Sequence, residues 1–233
     1  FEGRHVIPLP PQLPRRWLRH EGPTEDKGLV TDRPWSALLG EMLFHSTRLL
    51  GPLTVKMGVS CNHCHPNGST NPTVLSEHSY QVAGRIDLST AYFSQTSENG
   101  ITDPHVVPTL RGIRFTSPYQ VDGKVPGLRD QIRHVVVNEF GAPEPPPFFL
   151  DALFAFLVQL DPLPNPKVDG QGSLTSAASE AAKRGEQAFL KPRAELKGRS
   201  CASCHVPEDN FTDGRQHPLG SQPSRRTIAQ RAL

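Results

Sequence analysis

The chain has 233 residues, with 25 Lys and Arg against 23 Asp and Glu, for a net charge of +2. So even a balance offers no strong field to nucleic acid or anionic lipid, and no run nears the roughly 20 apolar residues of a membrane-spanning helix. With 36% hydrophobic residues, a mean hydropathy of −0.44, 24 prolines and 19 glycines, the chain is poorly supplied for a core. It would fold more readily around an apolar group that the sequence does not itself encode.

Residues 1–33 read as an extended arm, with prolines at Pro8, Pro10, Pro11 and Pro14. A helix is predicted from near Pro34, with Thr31 or Asp32 as its cap and Pro34 in its first turn. Leu38, Leu39, Met42 and Leu43 recur at helical spacing, which makes Met42 a core residue. Met57, four residues before Cys61, reads as loop packing.

The next feature is Cys61-Asn62-His63-Cys64-His65, and it returns as Cys201-Ala202-Ser203-Cys204-His205. Cys-x-x-Cys-His is the pattern of covalent c-type haem attachment. Two thiols one short turn apart bond the two vinyl groups, and the next imidazole ligates the iron. A zinc ribbon would place its second cysteine pair roughly 15–20 residues after the first, whereas 137 positions separate Cys64 from Cys201. A redox dithiol would need no following histidine. The sequence therefore predicts two covalently bound haem c groups. Cys61, Cys64, Cys201 and Cys204 attach them, and His65 and His205 are the proximal iron ligands. Haem c is attached outside the cytoplasmic membrane, so the expected location is periplasmic or extracellular, with Phe1 left after removal of a signal segment.

Farther along, a helix is predicted over 128–137, with Ile132, Val135 and Val136 on its apolar side and His134 buried among them. A strongly apolar helix is predicted over Phe148–Leu160, between the Pro145-Pro146-Pro147 run and the Pro162 to Pro166 stretch. Residues 161–173 read as a linker, and Thr175 as the cap of the following helix. That helix carries Gly185-Glu186-Gln187-Ala188-Phe189, an echo of Gly40-Glu41-Met42-Leu43-Phe44. The two phrases stand 16 and 21 residues before their cysteine motifs, so they form an internal repeat. The expected fold is mainly α, with almost no sheet and two tandem cytochrome c-like haem domains. The domains are an arm at 1–33, haem domain 1 at 34–162 and haem domain 2 at 163–233. The second shows no counterpart of the apolar helix. Either the chain is a fragment, or a further polypeptide completes that domain.

Leu39-Gly40-Glu41-Met42-Leu43-Phe44, Pro108-Thr109-Leu110-Arg111-Gly112, Tyr119-Gln120-Val121-Asp122-Gly123-Lys124 and Phe211-Thr212-Asp213-Gly214-Arg215 surround the two motifs. Over about residues 36–216 the chain resembles the bacterial dihaem cytochrome c peroxidase and methylamine-utilisation dihaem superfamily. That resemblance implies oxidative iron chemistry at one haem and electron delivery by the other. It implies that Gln131 and Glu139 lie over the first haem as catalytic residues. The family's Trp before Asp-Gly is Val121 here, its following Arg is Lys124, and a methionine slot used by related single-haem domains holds Gln120.

With that slot lost, histidine is the expected sixth ligand. His78 lies 13 residues after His65 and matches a distal histidine of the family; His217 lies 12 after His205. Two functions follow. One is an electron-transfer protein passing electrons between its haems and redox protein donors and acceptors. The other is a hydrogen-peroxide reductase with haem 1 as the peroxidatic site, Glu139 as acid–base and Gln131 orienting the oxygen.

Overall fold

A computed structural model describes residues 34–74, 83–88, 93, 100, 104–120 and 123–216. Their secondary structure is mainly helical, as expected, and the only named strands are the two-residue pair β1 (Arg85–Ile86) and β2 (His105–Val106), antiparallel. Two compact units divide the chain: one is Pro34–Pro162, and the described part of the other starts at Leu163.

The first unit is built on helix α1 (Trp35–His45) against α5 (Pro147–Leu157), with α4 (Leu128–His134) beside α5. A short α2 (Pro52–Met57) leads to α3 (Cys61–Cys64), the first cysteine motif, which packs on α1. Glycine makes the main contact possible. A Cβ on Gly40 would stand 1.9 Å from the Ala152 carbonyl oxygen and 2.7 Å from the Phe156 Cβ. The two backbones therefore meet closely at a residue with no side chain. Around that point the Phe44 and Phe156 rings meet at 5.2 Å, tilted by 52°, and Leu43, Leu150 and Leu153 close the core.

This contact also corrects the expected face of α1. Its buried residues are Ala37, Gly40, Leu43 and Phe44, and Met42 is 68% exposed. Two residues from Gly40 is about 200° around a helix, so Met42 points away from α5. The start differs too: Pro34 is the N-cap rather than a first-turn residue, with no side-chain cap, and Thr31 and Asp32 lie outside the described residues.

Helix α5 ends at Leu157, three residues before the predicted Leu160. The carbonyls after it are taken from outside the helix. Arg114 donates to Val158, Arg111 to Asp161, and the Gly112 N–H to Leu160 at 2.6 Å. Helix ends leave such carbonyls without internal donors, and here a neighbouring strap supplies them.

In the second unit α6 (Glu180–Leu190) is capped by Ser179, whose Oγ accepts the Ala182 N–H at 3.2 Å. The predicted cap, Thr175, instead donates to the Pro166 carbonyl at 2.9 Å and closes a small loop bridged by Val168 and Leu174. Glu186, from the repeated phrase, accepts the Leu174 N–H at 2.9 Å and ties that loop to α6. Among the described residues after α6 there are only one-turn 3-10 segments. Gly185 has nothing within 4 Å of where its Cβ would stand, in contrast to Gly40.

Candidate functional site

Both cysteine motifs fold into a single helical turn, α-helical at Cys61–Cys64 and 3-10 at Cys201–Ser203. Each follows an extended serine, Ser60 or Ser200. In each, the histidine N–H donates to the first cysteine's carbonyl, His65 to Cys61 and His205 to Cys201, both at 2.9 Å. The four cysteines form no disulfide. Burial, and secondarily the neighbouring Cys64, pushes the Cys61 thiol up to about 12, and burial pushes Cys64 up to about 11. Both therefore stay protonated at neutral pH.

The residues fit a haem better than a zinc ion. Tetrahedral zinc needs its ligand atoms gathered around one point, and among the described residues no three His, Cys, Asp or Glu side chains gather in that way. Haem asks for something else: thiols at the edge of a wide ring and an imidazole under its centre. Single-turn spacing with the histidine immediately after it meets that requirement.

His65 is set up further by its partner. Its Nδ1 lies 2.9 Å from the Pro108 carbonyl oxygen. A carbonyl can only accept, so Nδ1 carries the proton and Nε2 keeps a free lone pair for a metal. Burial pushes the His65 pKa down to about 4, against the opposing pull of the Pro108 hydrogen bond, and the neutral imidazole is the ligating form.

The segment 108–112 is a strap along the turn after the motif. Leu110 N–H donates to the Gly68 carbonyl at 2.7 Å. Arg111 donates to Ser69 Oγ at 3.2 Å and to the Asn67 carbonyl at 2.8 Å. The strap's role is carried by backbone groups and one guanidinium, which no residue-type pattern displays. In the second unit His205 sits 6.3 Å, ring to ring, from Phe189 of the repeated phrase, and Phe189 meets Phe211 edge-on at 6.2 Å.

Gln131 and Glu139 come together through a residue not assigned to them. Gln120 Nε2 donates to Gln131 Oε1 at 2.9 Å and to Glu139 Oε1 at 3.0 Å. The expected helix over 128–137 is instead α4 followed by a π-helical turn, Val135–Glu139, closed by the Phe140 N–H to Val135 carbonyl bond at 3.1 Å. In an α-helix residues eight apart differ by about 80° around the axis. The wider turn takes up more residues per revolution and rotates Glu139 back toward the side of Gln131. Glu139 is 18% exposed. Its pKa is raised by burial, with the Gln120 hydrogen bond and the charge of His134 pulling the other way. His134, expected to be buried, is 39% exposed, with Nε2 3.9 Å from Glu139 Oε1. Cys61 packs against both core clusters, one holding Ile132 and the other Val135 and Val136. His78 and His217 lie outside the described residues.

No protein-family model matches the chain. No curated protein matches it either. Among solved structures it is similar in fold to a chain of Kuenenia stuttgartiensis hydrazine synthase, solved under xenon pressure, with 22% identity and a TM-score of 0.53. The match covers 78% of this chain and 53% of that one, so this chain spans about half the length of its neighbour.

Proposed function

We propose that this chain is an extracytoplasmic dihaem c-type cytochrome of the cytochrome c peroxidase-like superfamily, passing electrons between its two haems and redox protein partners. The observation that carries this reading is the pair of Ser-Cys-x-x-Cys-His turns, with the His backbone N–H bonded to the first cysteine's carbonyl at 2.9 Å in both. When bound, haem c supplies a one-electron iron couple. Cys61, Cys64 and His65 hold the first, and Cys201, Cys204 and His205 the second. Pro108 holds the His65 tautomer. His78, and more weakly placed His217, are the proposed sixth ligands, and histidine in place of methionine keeps the potentials low.

The test is haem stoichiometry. Produced with a cytochrome c maturation system, the protein should carry two haems per chain by intact mass. Replacing Cys61 and Cys64 with Ala should leave one, and replacing all four cysteines none. An unchanged mass in the Cys61/Cys64 variant would remove the first site from the proposal.

A second reading, reduction of hydrogen peroxide to two waters with two electrons and two protons, is favoured by the Gln120–Gln131–Glu139 cluster. On this reading Glu139 holds and returns the proton during O–O cleavage, which requires a carboxyl within hydrogen-bond reach of bound peroxide. Gln131 orients the oxygen through its amide.

A further inference from the structure

Gln120 occupies a backbone conformation that disfavours its own side chain. Its φ is 70°, in the left-handed region where glycine and asparagine are at ease and a long side chain is not. The loop holds it there. Tyr119 and Val125 exchange backbone hydrogen bonds at 2.6 and 3.3 Å, the Gly123 N–H donates to the Gln120 carbonyl at 3.1 Å, and the Tyr119 hydroxyl donates to the Ile113 carbonyl at 3.0 Å. Strain retained in a pinned loop points to work by the side chain. The contact that this side chain makes is the double donation to Gln131 and Glu139.

We infer that Gln120 is the positioning residue of the Gln131–Glu139 pair: one amide nitrogen spends both of its N–H groups to hold the Glu139 carboxyl in register with Gln131. An amide NH2 has two donors and no acceptor capacity on nitrogen, so both bonds run in one direction. Gln131 Oε1 accepts the first of these bonds, which leaves the Gln131 NH2 as the donor end of that side chain. Glu139 Oε1 is held as an acceptor of the second bond. Gln120 touches no reacting atom in this arrangement; it acts through its two neighbours. The titratable group facing Glu139 from α4 is His134, at 3.9 Å. The inference rests on the peroxide reading only for its effect on turnover, since the bonding pattern stands without it.

The test uses the haem-loaded protein and reads Glu139 itself, by the pH midpoint of its carboxyl infrared band, identified by subtraction of Glu139→Gln. Gln120→Asn is the variant of choice. Asparagine suits the left-handed backbone, so the loop should fold, but its amide is one methylene short of the pair. Losing a hydrogen bond that favours the charged form should move the midpoint upward by about one to two pH units. Gln131→Met, which leaves Gln120 able to donate to Glu139, should move it far less. A midpoint unchanged in Gln120→Asn, or moved equally by both variants, overturns the inference. Peroxide turnover is measured alongside and bears on the reading beneath it. A shifted midpoint in a protein without peroxidase activity keeps the positioning role and removes the catalytic one. Lost turnover with an unmoved midpoint keeps the catalytic reading and removes the positioning role.

Discussion

Replacing the glycine of each repeated phrase by alanine should move stability in opposite directions. At Gly40 the new Cβ would lie 1.9 Å from the Ala152 carbonyl oxygen, where real contacts stay above 3.0 Å. Helix α1 must retreat from α5 by about 1 Å, and a gap of that size forfeits a quarter to a half of the local dispersion contacts. Phe44, Leu153 and Phe156 share that interface, each with burial worth about 1.5–3 kcal/mol. The packing loss is roughly 2–4 kcal/mol, offset by about 1 kcal/mol of helix propensity gained on leaving glycine. The net cost of Gly40→Ala is therefore about 1–3 kcal/mol, or roughly 2–12 °C in Tm for a chain of this size. At Gly185 the Cβ meets nothing within 4 Å among the described residues. Only the propensity gain should remain, raising stability by about 1 kcal/mol or less. Thermal unfolding of the haem-loaded protein by circular dichroism measures both. A Gly185→Ala variant destabilised as much as Gly40→Ala would refute the reasoning, because that face of α6 would then have to be covered as α1 is.

Glu139 binds its proton more tightly in the folded chain than the ordinary value of 4.5 allows, because burial disfavours the carboxylate. The folded state then holds more protons than the unfolded one above that value, so this group's contribution to stability falls as pH rises through the window up to the folded pKa. Glu139→Gln should be more stable than the parent at neutral pH, with the gap closing below about pH 4; urea midpoints across pH test this, and a parallel pH dependence in the two proteins would refute it. Arg111→Ala removes three donations, to Ser69, Asn67 and Asp161, and should cost roughly 2–4 kcal/mol. Arg111→Lys should recover only part of it, and an alanine variant with a parental urea midpoint would show that the strap holds by its backbone alone. His78→Ala should give haem 1 a high-spin electron paramagnetic resonance signal. A haem 1 that stays low-spin would mean another residue fills the sixth position.

What the sequence alone determined is the chemistry written in neighbouring residues. Cys-x-x-Cys-His needs only one turn of chain to present two thiols and an imidazole, and the structure builds such a turn twice, each closed by the His backbone N–H to the first cysteine's carbonyl. The repeated Gly-Glu phrase and the proline runs likewise located α1, α5 and α6, because periodicity and proline act within a few residues. The finer faces and ends depended on distant partners. Met42 shares its spacing with the core leucines, and only the approach of α5 at Gly40 decided that it points outward. Thr175 is as good a cap by type as Ser179, but it is tied to the Pro166 carbonyl in the loop before the helix, and α6 starts only at Glu180. Gln131 and Glu139 could be named from a resemblance. Their junction could not, since it joins a pinned left-handed residue, a π turn and an amide 11 and 19 positions away. Hydrogen bonds between a loop and a helix are set by how the chain packs over long range, and no local pattern of residues encodes that distance.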